Sequence, residues 1–134
     1  MHPGTTHPEE DDKLVRFTAD VGEVPNARRW VVQEAAVAGA HDETLRIVAL
    51  LASELVTNAV QHGPAGGEVG VAVERRRGRL RVAVCDQSPV PPVPLNPGPT
   101  ALSGRGVMLV ERLAEAWGVD GKGHGKAVWF EVPI

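Results

Sequence analysis

The sequence has 134 residues, of which 43% are hydrophobic and 23% charged, so it predicts one globular domain and excludes a disordered or fibrous chain. The net charge of -3 argues against nucleic acid as a direct partner, because nucleic-acid-binding domains usually carry a basic excess. There is no apolar run of about 18 residues to span a membrane, and the single cysteine, Cys85, excludes an internal disulfide and fits a reducing cytoplasm.

The chain is predicted to begin with a flexible acidic tail over residues 1–13, which has no hydrophobic periodicity and contains the acidic run Glu9–Asp12. Residues 14–134 are predicted to form the domain. Its first element is expected to be a short strand, because apolar and polar residues alternate from Leu14 to Ala19.

Two amphipathic helices are predicted next, since apolar residues recur at three- and four-residue intervals over Asn26–Ala40 and over Glu43–His62. Asp42 is predicted to cap the second helix, and Gly63-Pro64 to end it. The buried stripe of the second helix is predicted to consist of Leu45, Val48, Leu51, Ala52, Leu55, Val56, Ala59 and Val60.

A β-hairpin is predicted after the helices, because Glu68–Arg76 and Arg79–Asp86 both alternate and Arg77-Gly78 is a turn sequence. One hairpin face is apolar and the other is mixed, which is typical of an antiparallel sheet covered by helices on one side. A basic patch near the turn consists of Arg75, Arg76, Arg77, Arg79 and Arg81. We interpret it as a solvated turn that protects a sheet edge, with a docking surface for an acidic partner as the alternative.

The chain then changes character, because six of its eleven prolines fall between Gln87 and Thr100 and predict a long, lid-like loop. A helix is predicted over Val107–Ala116, a glycine-rich turn over Gly118–Gly125 and a last strand over Ala127–Val132. These elements together predict an α+β fold, a two-layer sandwich with helices on one face of a mixed, mostly antiparallel sheet.

Three polar residues, Glu54, Asn58 and His62, follow each other at four-residue intervals on the second helix. Each such step adds only about 40° to a full turn, so the three side chains are expected in one row beside the apolar stripe. A carboxylate can deprotonate a hydroxyl, an amide oxygen suits Mg²⁺, and an imidazole can donate to an anion. Polar residues also border helix stripes without any function, and this alternative stays open.

Two further candidates lie after the hairpin. The sequence Ser103–Val107 (SGRGV) enters a predicted helix, where glycines and unpaired backbone N–H groups favour an anion and Arg105 adds a charged contact to phosphate. Such turns are also common as simple entry loops. Asp86 ends an apolar strand and faces the loop, where a carboxylate can accept from a ligand's amino group.

Together these segments make the sequence resemble the GHKL (Bergerat-fold) ATPase family of DNA gyrase B, Hsp90, sensor histidine kinases and MutL. Within that family it looks most similar to the small bacterial anti-sigma-factor serine kinases. The resemblance is carried by Ser53–Gly63 (SELVTNAVQHG), Val82–Asp86 (VAVCD), Gly104–Val110 (GRGVMLV) and Gly125–Phe130 (GKAVWF). It extends over about residues 15–133.

The resemblance implies an ATP-binding serine/threonine kinase that uses Mg²⁺. Asn58 would hold the Mg²⁺ against the phosphates, Glu54 would be the general base, and Asp86 would accept from the adenine amino group. Gly104, Arg105 and Gly106 would wrap the phosphates, near His62. The implied nucleotide-binding positions are Asn58, His62, Asp86, Ser88, Gly104, Arg105, Gly106, Val107 and Ala127.

The implied partners are an anti-anti-sigma protein of the STAS type, which would receive the phosphate, and a sigma factor whose activity the chain would regulate. A homodimer is left open. Ser88 and Ala127 depart from the family pattern, which usually has glycine and threonine there. They leave an alternative in which the chain is a non-catalytic, nucleotide- or protein-binding switch that regulates by contact.

Overall fold

The computed structural model describes residues 11–87, 109–122 and 125–134. The elements in chain order are strand β1 (Asp11–Thr18), a 3₁₀ turn (Val21–Glu23), helix α1 (Val24–Val37), helix α2 (Asp42–His62), strand β2 (Glu68–Arg76), strand β3 (Arg79–Asp86), strand β4 (Ala116–Lys122) and strand β5 (Gly125–Pro133). Residues 109–113 are also helical.

The strands form one five-stranded sheet in the order β1-β2-β3-β5-β4. Each neighbouring pair is antiparallel, so the sheet is antiparallel over the described strands and not mixed. The register of β3 against β5 sets Val84 opposite Val128 and Asp86 opposite Lys126. The predicted hairpin of β2 and β3 is confirmed with the predicted bounds.

The core lies between one face of the sheet and helices α1 and α2, which confirms the predicted two-layer α+β sandwich. The largest fully buried side chains are Phe130, Leu51, Leu80, Val31, Val48, Val56, Val69, Val71, Val82, Val84 and Val110. Strand residues alternate between faces, so the other face of the sheet carries small and polar side chains such as Ala83 and Arg81, which are half-buried.

Helix α1 ends at Val37, three residues before the predicted end at Ala40. The backbone N–H of Gly39 donates to the oxygen of Ala36 at 3.1 Å, and that of Ala40 donates to Ala35 at 3.0 Å. This is a Schellman motif, in which the residue after the cap takes a positive φ that glycine adopts without strain. Gly39 has φ 110° and therefore ends the helix.

Helix α2 begins at Asp42, which is its first helical residue and not the predicted N-cap. The cap position is His41, whose side chain makes no capping hydrogen bond. The acidic residues Asp42 and Glu43 lie in the first turn, where the positive end of the helix dipole favours negative charge.

The prediction of a glycine-rich turn over Gly118–Gly125 is wrong, because residues Ala116–Lys122 form the edge strand β4. The predicted helix over Val107–Ala116 is also too long, since β4 begins at Ala116. A Cβ atom on Gly118 would lie 2.6 Å from Cζ2 of Trp129. This glycine therefore makes room for the indole ring on β5.

At the N-terminus, β1 begins at Asp11, so the part of the predicted tail from residue 11 onward pairs with β2. Residues 1–10 lie outside the described part, as do most of the proline-rich loop and the sequence Ser103–Val107. No helix in the described residues is long and apolar enough to cross a membrane.

Acidic neighbours partly balance the charge of the basic patch. Arg76 binds Asp12 at 2.9 Å, and Arg81 binds Glu131 at 2.8 Å. Arg79 forms an ion pair with Glu115. Because β2 and β3 are inner strands of the sheet, the patch does not lie on an edge strand, and its interpretation as a turn that protects a sheet edge is not confirmed.

Candidate functional site

The polar row on α2 lies where the helix leaves the core. Glu54 and Asn58 are half-buried and His62 is exposed. Leu55 and Ala59, the residues that follow the first two, are buried with 3% of their surface exposed. The row therefore runs along the border of the buried stripe, as the four-residue spacing predicts, and becomes more exposed toward the C-terminal end of α2.

Gly63 ends α2 and brings it against the end of β3. Its backbone N–H donates to the oxygen of Ala59 at 2.9 Å. A Cβ atom on Gly63 would lie 2.8 Å from that oxygen and 3.9 Å from the Cβ of Asp86. The helix end and the strand end are thus in contact, so the C-terminal end of the polar row, at His62, lies near Asp86.

Asp86 is a buried carboxylate on the sheet face that α2 covers. It follows Val82 and Val84 in the buried phase of β3. Lys126, its cross-strand partner on β5, donates from Nζ to Oδ1 at 3.0 Å and to Oδ2 at 2.9 Å. The two side chains are only 4% and 6% exposed, so the ion pair is almost completely removed from solvent.

Lys126 is a residue that the sequence reasoning missed. It lies in phase with Val128, Phe130 and Val132, which all face the core. A lysine in the apolar phase of a strand is unusual, because lysine is almost never fully buried without a partner. This phase could have identified Lys126 as a partner for a carboxylate before the structure was known.

Close backbone contacts fix the position of Asp86. A Cβ atom on Gly125 would lie 2.0 Å from the backbone oxygen of Asp86, so the start of β5 approaches β3 in a way that only glycine permits. The side-chain Oε1 of Gln87 accepts from the backbone N–H of Glu68 at 3.2 Å, which ties the end of β3 to the start of β2.

Ala127, which the family resemblance implies as a nucleotide-binding position, lies on the opposite face of the sheet from the Asp86 side chain. Its cross-strand partner is Cys85, and the two residues line a concavity of about 650 Å³ on the open face. Because side chains alternate along a strand, the residue before Ala127 faces the other side of the sheet, and this residue, Lys126, lies beside Asp86.

The remaining predicted positions, Ser88, Gly104, Arg105, Gly106 and Val107, lie outside the described residues. Their approach to the α2 row stays a prediction. In residues 11–87, 109–122 and 125–134, no group of three or more His, Cys, Asp or Glu side chains is arranged to hold a metal ion.

The open face of the sheet is a separate feature from the α2 row. Its concavity has a floor of small residues, including Gly70, Ala72 and Ala83. At one side the Arg81 guanidinium lies 3.9 Å from the centroid of the Trp129 ring, a cation–π contact. This concavity faces away from the helices and does not include Glu54, Asn58 or His62.

Comparison with known proteins gives a match over most of the chain. The model of the histidine kinase-like ATPase domain matches residues 17–132. An uncharacterised protein of Streptomyces coelicolor is 36% identical over 83 residues, which cover 59% of this chain and 78% of that protein.

Solved structures share the fold. The RsbU and RsbW domains of a Mycobacterium tuberculosis protein match with a TM-score of 0.70 at 19% identity, over 92% of this chain but only 32% of that longer chain. The catalytic domain of the histidine kinase ThkA matches with a TM-score of 0.59 at 16% identity, over 90% of this chain and 95% of that one. A blue-light activated histidine kinase domain of Erythrobacter litoralis matches with a TM-score of 0.56 at 27% identity, over 84% and 60% of the two chains.

Proposed function

This chain belongs to the family of histidine kinase-like ATPase domains, and from that premise we propose that it binds ATP and regulates a protein partner by phosphorylating it. The acceptor would be a serine or threonine of a STAS-type anti-anti-sigma protein. Once that partner is phosphorylated, this chain would bind a sigma factor and keep it inactive. The observation that carries the proposal is that Glu54 and Asn58 lie one turn apart on α2, the helix that ends at Gly63 beside Asp86.

The chemistry of these residues fits Mg²⁺ and ATP. Magnesium prefers oxygen ligands and keeps several waters and substrate phosphates in its coordination shell, and Asn58 offers one neutral oxygen from a half-buried position. Asp86 offers a buried acceptor for a base. When bound, Mg-ATP supplies the phosphoryl group and the cation that offsets its negative charge.

Glu54 would act as the general base of the transfer. Its carboxylate would take the proton of the acceptor hydroxyl while the hydroxyl oxygen bonds to the γ-phosphorus and the bond from that phosphorus to the β–γ bridging oxygen breaks. ADP leaves with that oxygen. Phosphoryl transfer depends mainly on positioning and charge stabilisation, and a carboxylate one turn from the metal-binding amide is suited to position the hydroxyl.

The proposed activity is tested by transfer of label from γ-labelled Mg-ATP to STAS-type proteins of the source organism. We expect labelling of one of them, and we expect Glu54→Gln to reduce the rate by a factor of about 10² to 10⁴, the usual contribution of a general base. Glu43→Gln is a matched control, because Glu43 is an exposed acid at the other end of the same helix. Labelling that persists undiminished in Glu54→Gln would exclude the proposed role of Glu54.

A second candidate function is a non-catalytic switch that binds a nucleotide or a protein and regulates by contact. The observation that favours it is the ion pair of Asp86 with Lys126, because the carboxylate proposed to bind the base is already bonded within the chain. Calorimetric titration with Mg-ATP separates the two candidates. Millimolar or weaker affinity, together with tight binding of a protein partner without nucleotide, would favour the switch.

A further inference from the structure

We propose that two copies of this chain pack face to face through the open face of the sheet, related by a two-fold axis that runs parallel to β3. This face lies opposite the layer of helices α1 and α2, so Glu54 and Asn58 stay outside the interface. The inference is therefore independent of the proposed function and adds an assembly to it.

The shape of the open face is suited to contact with another sheet. At its centre the three inner strands carry small side chains, those of Gly70, Ala72, Ala83, Cys85 and Ala127. Larger side chains flank this floor, Trp129 on β5 and Leu14 on β1, and Leu14 is 57% exposed. Alanine and glycine are depleted in strands, and glycine within a strand often marks the close approach of another backbone.

The strand register arranges these residues in two rows across the sheet. The first row consists of Leu14, Ala72, Ala83, Trp129 and Gly118, and the second of Arg16, Gly70, Cys85, Ala127 and Asp120. Strand β3 is the middle strand of the five, so each row has two positions on either side of it. A two-fold axis parallel to β3 therefore places each row against its own reverse.

In this arrangement each large side chain of the first row faces a small residue. Leu14 faces Gly118 of the second copy, and Trp129 faces Ala72 of the second copy. Ala83, on the central strand, faces the Ala83 of the second copy. Because packed sheets lie about 10 Å apart with interdigitated side chains, a large residue opposite a small one is the pairing that fills the space without a clash.

The second row has opposite charges at its two ends. Arg16 lies on one edge strand and Asp120 on the other, so each Arg16 faces Asp120 of the other copy and two ion pairs form. The Arg16 side chain is 64% exposed, and its pairing with Glu68, at 3.8 Å, is long enough to be exchanged. A two-fold axis across the strands would instead place Arg16 on Leu14 and Glu74 on Glu68. Charge and shape together therefore favour the axis parallel to β3.

A third row is charged and consists of Asp12, Glu74, Arg81, Glu131 and Ala116. The same axis sets Glu74 opposite Glu131 of the second copy. The Arg81 guanidinium lies 3.9 Å from the centroid of the Trp129 ring and binds Glu131 at 2.8 Å, so it is displaced toward β5. At that position it lies between Glu131 and the Glu74 of the second copy, and a cation separates the two carboxylates.

The area of the face is sufficient for a specific dimer. Five strands of seven to nine residues, about 4.8 Å apart and rising about 3.3 Å per residue, give a face of roughly 24 by 25 Å. Two such faces remove about 1,200 Å² from solvent, which is at the lower end of the range for specific interfaces. We therefore expect a dissociation constant in the micromolar range.

The test is sedimentation equilibrium of the full chain over micromolar concentrations, for the wild type and for charge-reversed variants. We expect the wild type to form a dimer. Arg16→Glu and Asp120→Arg should each weaken it by about 10- to 100-fold, because like charges then face each other across the interface. The double variant Arg16→Glu/Asp120→Arg should restore the wild-type dissociation constant to within about threefold. Arg46→Glu is the control, since Arg46 is an exposed arginine on α2.

Two results would overturn the inference. One is a wild type that stays monomeric over this range. The other is a dimer that neither single reversal weakens, or that the double variant does not recover, since the two copies would then meet through another surface. Both substituted residues are exposed on edge strands, so the variants are expected to fold, and circular dichroism checks this.

Cys85 gives a second measurement that needs no substitution. It is the single cysteine of the chain and lies on β3, where the axis passes. The dimer would cover it, so its rate of reaction with N-ethylmaleimide should fall as the protein concentration rises through the dissociation constant. A rate that does not change with concentration, in a sample shown to be dimeric, would place the interface elsewhere.

Discussion

The buried ion pair predicts an unusually large loss of stability from the single substitution Lys126→Met. The side chains of Asp86 and Lys126 are 4% and 6% exposed, so removal of the ammonium leaves a carboxylate that water does not reach. Removal of one partner from a buried pair costs about 3–5 kcal/mol of unfolding free energy, mostly because the other charge stays uncompensated. For a chain of this size the loss corresponds to a fall in Tm of roughly 10–20 °C.

The double variant Asp86→Leu/Lys126→Met is expected to recover most of that loss, to within about 1–2 kcal/mol of the wild type, because neither charge is then buried. Urea unfolding followed by tryptophan fluorescence and circular dichroism measures each free energy. Glu68→Gln is the control, since Glu68 pairs with Arg16 at 3.8 Å with side chains 62% and 64% exposed, and exposed pairs contribute about 0–1 kcal/mol. A loss below about 1 kcal/mol in Lys126→Met would refute the reasoning.

Three further outcomes are expected from the structure. Gly118→Ala should lower the unfolding free energy by about 1–3 kcal/mol, because the new Cβ would lie 2.6 Å from the Trp129 ring. Gly121→Ala is the control, since no atom lies within 4 Å of the Cβ it would add. It should change the unfolding free energy by less than about 0.5 kcal/mol in urea unfolding. Phe130→Ala should cost about 3–5 kcal/mol in the same assay, since Phe130 is fully buried. Mg-ATP at about 100 times its Kd should raise the unfolding free energy by about 2.7 kcal/mol. Addition of EDTA, or the substitution Asn58→Ala, should remove most of that gain. An equal gain in the presence of EDTA would contradict a role for the metal.

The sequence predicts the main elements of the fold well where hydrophobic patterns are long. The stripe of α2 and the alternation of β2 and β3 each extend over eight or more residues. A long pattern specifies both the type of element and the face that becomes buried. The hairpin bounds and the two-layer arrangement follow from these patterns alone.

Local contacts that involve glycine were harder to predict. The sequence pattern predicts a turn at Gly118, yet this residue lies in β4, where the Trp129 ring fills the space that a side chain would occupy. Gly39 ends α1 earlier than the alanine-rich pattern suggests, since its φ of 110° closes a Schellman motif. In both cases the reason is a backbone conformation or a neighbour distant in sequence, and neither is visible in local periodicity.

At the candidate site, the α2 row follows from local periodicity alone, whereas the pairing of Asp86 with Lys126 also requires the register of two strands. The row depends only on helix geometry, and the half-buried positions of Glu54 and Asn58 agree with it. The partner depends on the register of two strands that are 40 residues apart in the chain. If the register of β5 against β3 were shifted by one residue, Ala127 and not Lys126 would lie opposite Asp86, because neighbouring strand residues face opposite sides of the sheet.

The two halves of the proposed site therefore depend on different parts of the fold. Helix α2 carries the groups proposed for phosphate chemistry, and β3, which pairs with β5, carries Asp86, the group proposed to bind the base. The spacing of Glu54 and Asn58 is set by the helix itself and does not depend on the register of β3 against β5. Nucleotide binding and the proposed phosphotransfer therefore depend on different elements of the fold and should be measured separately.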